Sequence, residues 1–303
     1  MRVTLIHNPG AGRQQSDAAV PLVRMLKEAG HEVRHQSADE PDWKRALEAP
    51  ADLVVVAGGD GTVARVAKAM AGRGIPLAPL PAGTANNIAR TLGLTERPWE
   101  ELVRAWPGAR RVKLDIGVAR GPWGERPFIE GVGAGLFACL LGSSDPARKL
   151  ASLKQPRERV AAALEILRKH ADGCEAIAIE ARLDGRDLSG RYLLFEVVNL
   201  KYVGPSLFLA PDSQPGDGTF EVVMVAEAQR DRLQNYLASW QDNRERLSVL
   251  PTRRGKTLSL QWNGFELHID DELLAAGPAA PVELKIGELA VEFVTPDGNG
   301  SNY

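Results

Sequence analysis

The stretch VVVAGGDGTVARVAKAM, residues 54–70, joins a buried strand, a glycine-rich turn and a helix in one continuous run. Apolar residues lead into two glycines, Asp60, a third glycine and a threonine, and a helical pattern follows at once. Glycines let a backbone turn sharply and approach a ligand closely. The helix that follows offers its free N–H groups to an anion. Because a carboxylate would repel a bare phosphate, Asp60 indicates a divalent cation between itself and the phosphates of a nucleotide.

Two further glycine loops distinguish this interpretation from that of a plain tight turn. HNPGAG, residues 7–12, ends the first predicted strand and carries Asn8. LPAGTANNIARTLG, residues 80–93, ends the fourth predicted strand with Gly83 and Thr84 before a helix. Ligands of open α/β sheets bind beyond the carboxyl ends of the strands, so the three loops would meet at one edge. Neither GxxxxGK[ST] nor GxGxxG is present.

Alternating strand and helix patterns fill the first third of the chain, which is typical of a parallel sheet covered on both faces. Strands are predicted at 2–7, 31–36, 52–57 and 75–80, with helices at 16–30, 41–50, 62–72 and 84–93.

After about residue 110, strand follows strand with turn signals between them, apart from helical candidates near 145–171 and 230–247. This spacing favours an antiparallel sheet or sandwich. The predicted fold class is therefore α/β plus β. We expect a parallel-sheet α/β domain over 1–118 and a mostly antiparallel β-sandwich domain over 119–295.

The composition limits the function classes. The chain has 303 residues, 44% hydrophobic and 25% charged, which suits two soluble globular domains. A net charge of −2 gives no basic field for nucleic acid. Two cysteines, Cys139 and Cys174, are too few for a disulfide framework, and we expect both to be small core residues in a reducing compartment. The apolar start has strand length rather than signal-peptide character. The stretch 131–141 is far shorter than the roughly 20 residues of a membrane-spanning helix.

The elements NPGAG, GGDGTVARV and PAGTANNIARTLG, in this order and spacing, resemble the bacterial diacylglycerol kinase-like lipid kinases, which share a superfamily with NAD kinases. GGDGT occurs across that superfamily, whereas NPxxG and GTxN narrow the resemblance to the diacylglycerol and sphingosine kinase branch. Residues 197–225 and LHIDDELL, residues 267–274, extend it over essentially the whole chain. The resemblance implies an NAD kinase-like first domain and a C-terminal segment that returns to it.

The resemblance also implies the site residues. Glu272 matches the general base of the family and, with Asp60, would be catalytic. The positions that match nucleotide contacts are Asn8, Ser37, Gly58, Gly59, Asp60, Gly61, Thr62, Gly83, Thr84 and Asn86. Asp217 matches the side chain of a structural Mg²⁺ site, and the backbone carbonyls of Gln214 and Thr219 match its other ligands. From the residues alone, Glu272 is a surface glutamate in a turn and Asp217 belongs to an Asp-Gly hairpin turn.

The implied function is an ATP- and Mg-dependent lipid kinase, with diacylglycerol as acceptor and phosphatidic acid as product. Its partners would be ATP and the lipid, with a cytoplasmic location and peripheral contact at the inner membrane face. Residues 145–173 carry seven Lys/Arg against four Asp/Glu, which is either a lipid-facing surface or a solvated one. A homodimer stays open.

Three departures from the family pattern keep two alternatives open: Asn87 in place of aspartate, Asp271 in place of glycine, and Gly216 in place of an acidic residue. Aspartate tolerates the left-handed conformation better than most residues, but Asp271 adds negative charge beside the base that the resemblance implies. The first alternative is a kinase for a sphingoid base, another lipid alcohol or a soluble polyol. The second is a catalytically silent lipid-binding protein.

Overall fold

The computed structural model describes residues 1–11, 19–143, 152–153, 155–242, 249–274 and 277–296. The chain forms two compact units. The first comprises Met1–Leu114 and Leu289–Tyr303, and the second comprises Asp115–Glu288. The chain passes between the units within two of its strands.

The first unit contains a parallel sheet. Its strands are β1 (Arg2–His7), β2 (Glu32–Ser37), β3 (Leu53–Gly58), β4 (Leu77–Pro81) and the last residues of β18 (Ala280–Thr295). The order is β2-β1-β3-β4-β18, and every neighbouring pair is parallel. Every residue of β3 is buried, because a parallel strand in the middle of the sheet is covered on both faces. This arrangement places the ends of β1, β3 and β4 along one edge.

Four α-helices of the first unit lie among the described residues: α1 (Ala19–Glu28), α2 (Asp60–Met70), α3 (Asn87–Thr91) and α4 (Trp99–Ala105). Leu22 and Leu26 of α1 pack with the side chains of β1 and β3 in one hydrophobic core. The first residues of the helix predicted at 16–30 lie outside the described residues. The predicted helix at 41–50 is a short 3-10 helix, Trp43–Leu47, and α4 was not predicted.

Antiparallel pairing dominates the second unit. Its strands are β5 (Arg110–Gly121), β6 (Gly124–Phe128), β7 (Gly131–Gly135), β8 (Ile177–Leu183), β9 (Arg186–Asp187), β10 (Gly190–Val198), β11 (Tyr202–Val203), β12 (Leu207–Phe208), β13 (Phe220–Ala226), β14 (Thr252–Gly255), β15 (Thr257–Trp262), β16 (Leu267–Ile269), β17 (Glu272–Leu274) and the start of β18. The pairs β5–β6, β7–β10, β8–β15, β10–β13 and β7–β16 are all antiparallel. The predicted fold class, an α/β part followed by a β-rich part, is confirmed.

Both faces of β10 are buried from Leu193 onward, because its side chains alternate between two cores. Leu194 and Val198 pack in the core formed with α5 (Leu136–Gly142), α6 (Pro156–Gly173) and α7 (Arg230–Asp242). Phe195 and Val197 pack in the core between strands. The predicted helix near 145–171 runs from Pro156, at the first helical position, where proline suits a helix. Part of that prediction, like the end of the one at 230–247, lies outside the described residues.

The second unit corrects one expectation about the cysteines. Cys174 is buried, as expected, but Cys139 on α5 is exposed. The reason is that the sequence signalled no helix over 136–142, so the outward face of that helix was not predicted. No helix among the described residues is long and apolar enough to cross a membrane.

Gly117 tests the packing between β5 and β6. It pairs directly with Phe128, and a Cβ at this position would lie 2.1 Å from the ring Cζ of that fully buried side chain. Because the ladder fixes both backbones, we expect Gly117→Ala to lower the free energy of unfolding by about 1–3 kcal/mol. Gly173→Ala is the control, since a Cβ there meets no atom within 4 Å, and it should change stability by about 0.5 kcal/mol or less. Equal melting temperatures for the two variants would contradict the close contact.

Candidate functional site

The second and third glycine loops are in direct backbone contact at the carboxyl edge of the parallel sheet. A Cβ on Gly83 would lie 2.4 Å from the Cα of Gly59, so neither position has room for a side chain directed at the other. The amide of Ala82 donates a hydrogen bond of 3.0 Å to the carbonyl of Gly58. The glycines are therefore required by the approach of the loops to each other, besides any approach to a ligand.

The first loop joins the second through side chains. Asn8 Nδ2 donates to Thr62 Oγ1 at 2.8 Å, and Asn8 Oδ1 accepts the amide of Gly10 at 2.9 Å. A Cβ on Gly58 would lie 2.7 Å from the Cβ of Thr62, so this glycine makes room for the threonine. Asn8, Gly58 and Thr62 thus lie together, as the sequence analysis expected of the three loops.

Asp60 has partners within the protein. It is the first residue of α2, and its Oδ1 accepts the amide of Ile88 at 2.9 Å. The amides of Asn86 and Asn87 also bond to this carboxylate. Burial raises the pKa of Asp60, and the amide hydrogen bonds oppose that rise. The start of α3 therefore compensates the charge for which the sequence analysis invoked a cation.

Asn86 fixes the third loop. Its backbone is left-handed, with φ of 53°, a conformation that asparagine tolerates better than most residues. Its Oδ1 accepts the amide of Gly83 at 2.8 Å, and its Nδ2 donates to the Gly83 carbonyl at 3.1 Å. Thr84 is half-buried in the same loop, and Gly61 lies in the first turn of α2. Ser37 ends β2, one strand away from Asn8, and its Oγ accepts the amide of Asp39 at 3.3 Å.

In the second unit, Glu272 begins β17, next to a tightly anchored turn. Its carboxylate is exposed, and its Oε1 lies 2.5 Å from Nη1 of Arg126 on β6. Asp270 accepts the amides of Ile129 at 3.1 Å and Glu130 at 2.8 Å. The left-handed residue of the turn is Asp270, with φ of 50°, and Asp271 is not left-handed. The family's glycine position therefore does not mark the strained residue here.

A buried ionisable pair lies below this turn. His268 Nε2 is 2.9 Å from Glu196 Oε2, and the two residues are only 7% and 1% exposed. The two side chains meet across β7, where both pair with Gly133. A Cβ on Gly133 would lie 1.8 Å from the Glu196 carboxylate, so only glycine leaves room for this side chain to reach His268. Burial raises the pKa of Glu196, and the carboxylate raises the pKa of His268 against the effect of its own burial. The pair ties β16 to β10 under the Glu272 turn.

The predicted metal residues form a hydrogen-bonded turn. Asp217 Oδ1 accepts the amide of Thr219 at 2.9 Å and its hydroxyl at 2.6 Å, while Oδ2 lies 3.8 Å from Arg254. The Asp217 amide donates to the carbonyl of Gln214 at 3.4 Å. Asp115 Oδ2 accepts the amide of Gly218 at 2.6 Å, which braces the turn from β5.

Sequence reasoning missed three polar residues that hold these turns: Arg126, Asp115 and Asp270. A signal existed only for Asp115, as a carboxylate inside the apolar strand pattern VKLDIGVAR. Arg126 is 146 positions from Glu272 in the sequence, so no local pattern could pair them.

Comparisons with known proteins identify the family of the chain. Residues 2–119 match the family model for the diacylglycerol kinase catalytic domain. The "Diacylglycerol kinase" of Bacillus subtilis (strain 168) is 29% identical over 75% of this chain and 74% of its own length. The "Diacylglycerol kinase" of Mycobacterium tuberculosis (strain ATCC 25618 / H37Rv) is 26% identical over 97% of this chain and 95% of its own length. The "Probable lipid kinase YegS-like" protein of Pseudomonas aeruginosa (strain UCBPP-PA14) is 30% identical over 74% of this chain and 72% of its own length.

A solved structure of a diacylglycerol kinase from Bacillus anthracis str. Sterne shares the fold, with a TM-score of 0.71 at 20% identity, covering 98% of this chain and 97% of that one. The chain belongs to the bacterial diacylglycerol kinase-like lipid kinase family. It is a kinase, and its class is that of the lipid kinases.

Asp60→Asn tests the buried carboxylate. The pKa of Asp60 is higher in the folded chain than in the unfolded chain. Wild-type stability therefore falls as the pH rises from the unfolded pKa to the folded pKa. Asparagine removes the charge but has only one acceptor oxygen for these amides. The melting temperature of Asp60→Asn, relative to that of wild type, should therefore increase as the pH rises from 4 to 8.

Asp52→Asn is the control of opposite sign. A hydrogen bond from Arg2 lowers the pKa of Asp52 to about 2, so its ionised form stabilises the fold above the unfolded pKa. This variant should melt below wild type at pH 7, and the difference should shrink toward pH 2. A pH-independent difference for Asp60→Asn would contradict the assigned shift.

Proposed function

We propose that this lipid kinase transfers the γ-phosphate of Mg-bound ATP to the hydroxyl of diacylglycerol and so forms phosphatidic acid. The observation that carries the proposal is the meeting of three glycine loops at the carboxyl edge of the parallel sheet. Backbone contact between Gly59 and Gly83 leaves a surface of amides and small side chains, which suits phosphates. Diacylglycerol is favoured because the relatives from Bacillus subtilis and Mycobacterium tuberculosis are named diacylglycerol kinases.

The nucleotide is proposed to contact the loops and the end of β2. The contacting residues are Asn8, Ser37, Gly58, Gly59, Asp60, Gly61, Thr62, Gly83, Thr84 and Asn86. Asp60 would act from its amide-bonded position at the start of α2, where it keeps the second and third loops together. The α2 N-terminus would place its free amides toward the phosphates.

Glu272 is proposed as the general base. As the lipid oxygen bonds to the γ-phosphorus, the bond from that phosphorus to the bridging oxygen of ADP breaks, and the Glu272 carboxylate accepts the hydroxyl proton. The exposure of Glu272 supports this role, since a base must be reachable by its substrate. Arg126 would fix the direction of the carboxylate by holding Oε1.

Magnesium is proposed with the nucleotide and at the Asp217 turn. When bound, Mg²⁺ neutralises the charge that develops on the phosphates. The described residues contain no group of three or more His, Cys, Asp or Glu that could hold a metal ion. The family resemblance assigns the ligands besides Asp217 to the backbone carbonyl oxygens of Gln214 and Thr219. One carboxylate with carbonyl oxygens is a donor set that hard cations accept, so the residues fit.

Peripheral contact with the inner membrane face is proposed for the segment around α6. Residues 145–173 carry an excess of Lys/Arg, and a basic surface attracts anionic lipids. The cytoplasmic location follows from the need to reach ATP and lipid together.

The test is transfer of labelled phosphate from ATP into a panel of lipids in mixed micelles containing Mg²⁺. Label in phosphatidic acid supports the proposal in full. Label in another lipid alcohol supports the proposed reaction but shows that the acceptor is not diacylglycerol. Absence of label from every lipid, with ATP still bound, contradicts the proposal and favours a soluble polyol acceptor or a silent lipid binder.

Glu272→Gln should abolish transfer and leave nucleotide affinity near that of wild type, because an amide cannot accept the hydroxyl proton. We expect a loss of roughly 100-fold or more in turnover. Glu180→Gln is the matched control, an exposed glutamate on β8 of the same unit, and should keep wild-type turnover. Wild-type turnover in Glu272→Gln would remove the base assignment.

Arg126→Met should lower kcat by roughly 10- to 100-fold without raising the KM for ATP, because the carboxylate of Glu272 loses its fixed direction. Arg126→Lys should recover part of the activity. Arg120→Met is the control, since Arg120 pairs with Glu125 and Glu283 on the surface of the same unit. An equal loss in Arg120→Met would show that the effect is not specific to Glu272.

A further inference from the structure

The buried pair of Glu196 and His268 is hydrogen-bonded to the turn that precedes Glu272. His268 Nε2 lies 2.9 Å from Glu196 Oε2, and His268 Nδ1 lies 2.9 Å from the carbonyl oxygen of Asp270. Both nitrogens of one imidazole are therefore engaged, one toward β10 and the other toward the turn. Glu272 follows Asp270 by two positions and pairs with Ile269 between β16 and β17.

These contacts assign the protons of the pair. A carbonyl oxygen only accepts, so His268 Nδ1 carries a hydrogen and donates it to Asp270. Nε2 then faces a carboxylate oxygen of Glu196, and one further proton lies between the two atoms. Burial lowers the pKa of His268, but Glu196 and the Asp270 carbonyl raise it above its ordinary value, in agreement with this assignment. Rotation of the ring would break both hydrogen bonds, so the pair fixes the Asp270 carbonyl.

The side chain of Asp270 connects the same turn to the loop before β7. Its carboxylate accepts the amides of Ile129, Glu130 and Gly131 at 3.1, 2.8 and 3.1 Å, and its own amide donates to the Gly131 carbonyl at 2.8 Å. The left-handed backbone of Asp270 is thus held by His268 on its carbonyl and by three amides on its carboxylate. A strained backbone persists only where its surroundings fix it in this way.

Stability alone does not explain the polar pair. Glu196 Oε1 is buried and has no hydrogen-bond partner among the described residues. A buried carboxylate with one unpartnered oxygen is costly, and two apolar side chains of similar volume would pack at lower cost. The polar atoms of the pair therefore have a use other than packing, and the group to which they are joined is the turn before Glu272.

We propose that Glu196 and His268 are positioning residues for Glu272, which hold the Asp270 turn so that the Glu272 carboxylate faces the acceptor hydroxyl. This role rests on the proposed assignment of Glu272 as the general base. Glu196 fixes the orientation of His268, and His268 fixes the carbonyl of Asp270. A general base acts in one geometry, and a displacement of about 1 Å can cost roughly 100-fold in rate.

Three variants test this role: Glu196→Leu, Glu196→Gln, and the double variant Glu196→Leu/His268→Leu. Glu196→Leu leaves Nε2 of His268 without its partner. Glu196→Gln keeps a hydrogen bond, because its amide can donate to Nε2 of a neutral imidazole. The double variant removes both polar groups, so its melting temperature should recover relative to that of Glu196→Leu. The Asp270 carbonyl, however, still lacks its donor.

The first measurement is steady-state phosphate transfer. Glu196→Leu and the double variant should lose roughly tenfold or more in kcat at an unchanged KM for ATP, and Glu196→Gln should stay within about threefold of wild type. Leu237→Ala is the control, since Leu237 is a buried core residue of α7 in the same unit, and it should lower the melting temperature but keep kcat. Wild-type kcat in the double variant, or equal losses in Glu196→Gln and Glu196→Leu, would overturn the proposal.

Amide hydrogen exchange is the second measurement, and it needs no turnover. Exchange at Ile129, Glu130 and Gly131 should be roughly tenfold or more faster in the double variant than in wild type, and Glu196→Gln should exchange at about the wild-type rate. Unchanged exchange at these amides in the double variant would overturn the positioning role. Absence of transfer by the wild-type chain would instead contradict the proposed function, and with it the role of Glu272.

Discussion

The backbone contact between Gly59 and Gly83 is the constraint on which the first unit depends. Two loops at the ends of neighbouring parallel strands approach so closely that a single Cβ would separate them. Asp60 holds this contact because its carboxylate accepts the amide of Ile88 at the start of α3. The second loop therefore supplies a carboxylate that accepts a backbone amide at the start of α3, the helix that follows the third loop. At the proposed phosphate site, the Asp60 carboxylate is therefore already hydrogen-bonded within the protein, so it would not face the phosphates unpaired.

In the second unit, too, a close contact depends on a glycine, Gly133 below the Glu272 turn. Gly133 has no side chain, so Glu196 and His268 meet across β7 and fasten three strands together. The turn above is held by Asp270, which accepts backbone amides from the loop before β7. Removing one member of a buried pair leaves an uncompensated group, so these positions tolerate little change. The exposed Glu272 therefore lies next to a turn that is anchored to the loop before β7 by hydrogen bonds from Asp270.

The fold could be predicted because its signals are local. Alternation of strand and helix over the first 110 residues, and of strand and turn after them, is confirmed as an α/β part followed by a β-rich part. The short helices α4 and α5 gave no usable periodicity, and the exposed face of α5 with Cys139 was missed with them. The amide partner of Asp60 and the arginine beside Glu272 could not be predicted, because the contacts are long-range. The roles of the site residues stay predictions.

Calorimetric titration of the folded chain with Mg·ATP tests the central claim most directly, when wild type is compared with Gly83→Ala. A Cβ at this position must push Gly59 away and separate the loops. We predict affinity weaker by roughly tenfold or more, a loss of about 1.4 kcal/mol, with Gly108→Ala unchanged because a Cβ there meets no neighbour. Equal affinity of Gly83→Ala and wild type would contradict the assignment of the joined glycine loops as the nucleotide site.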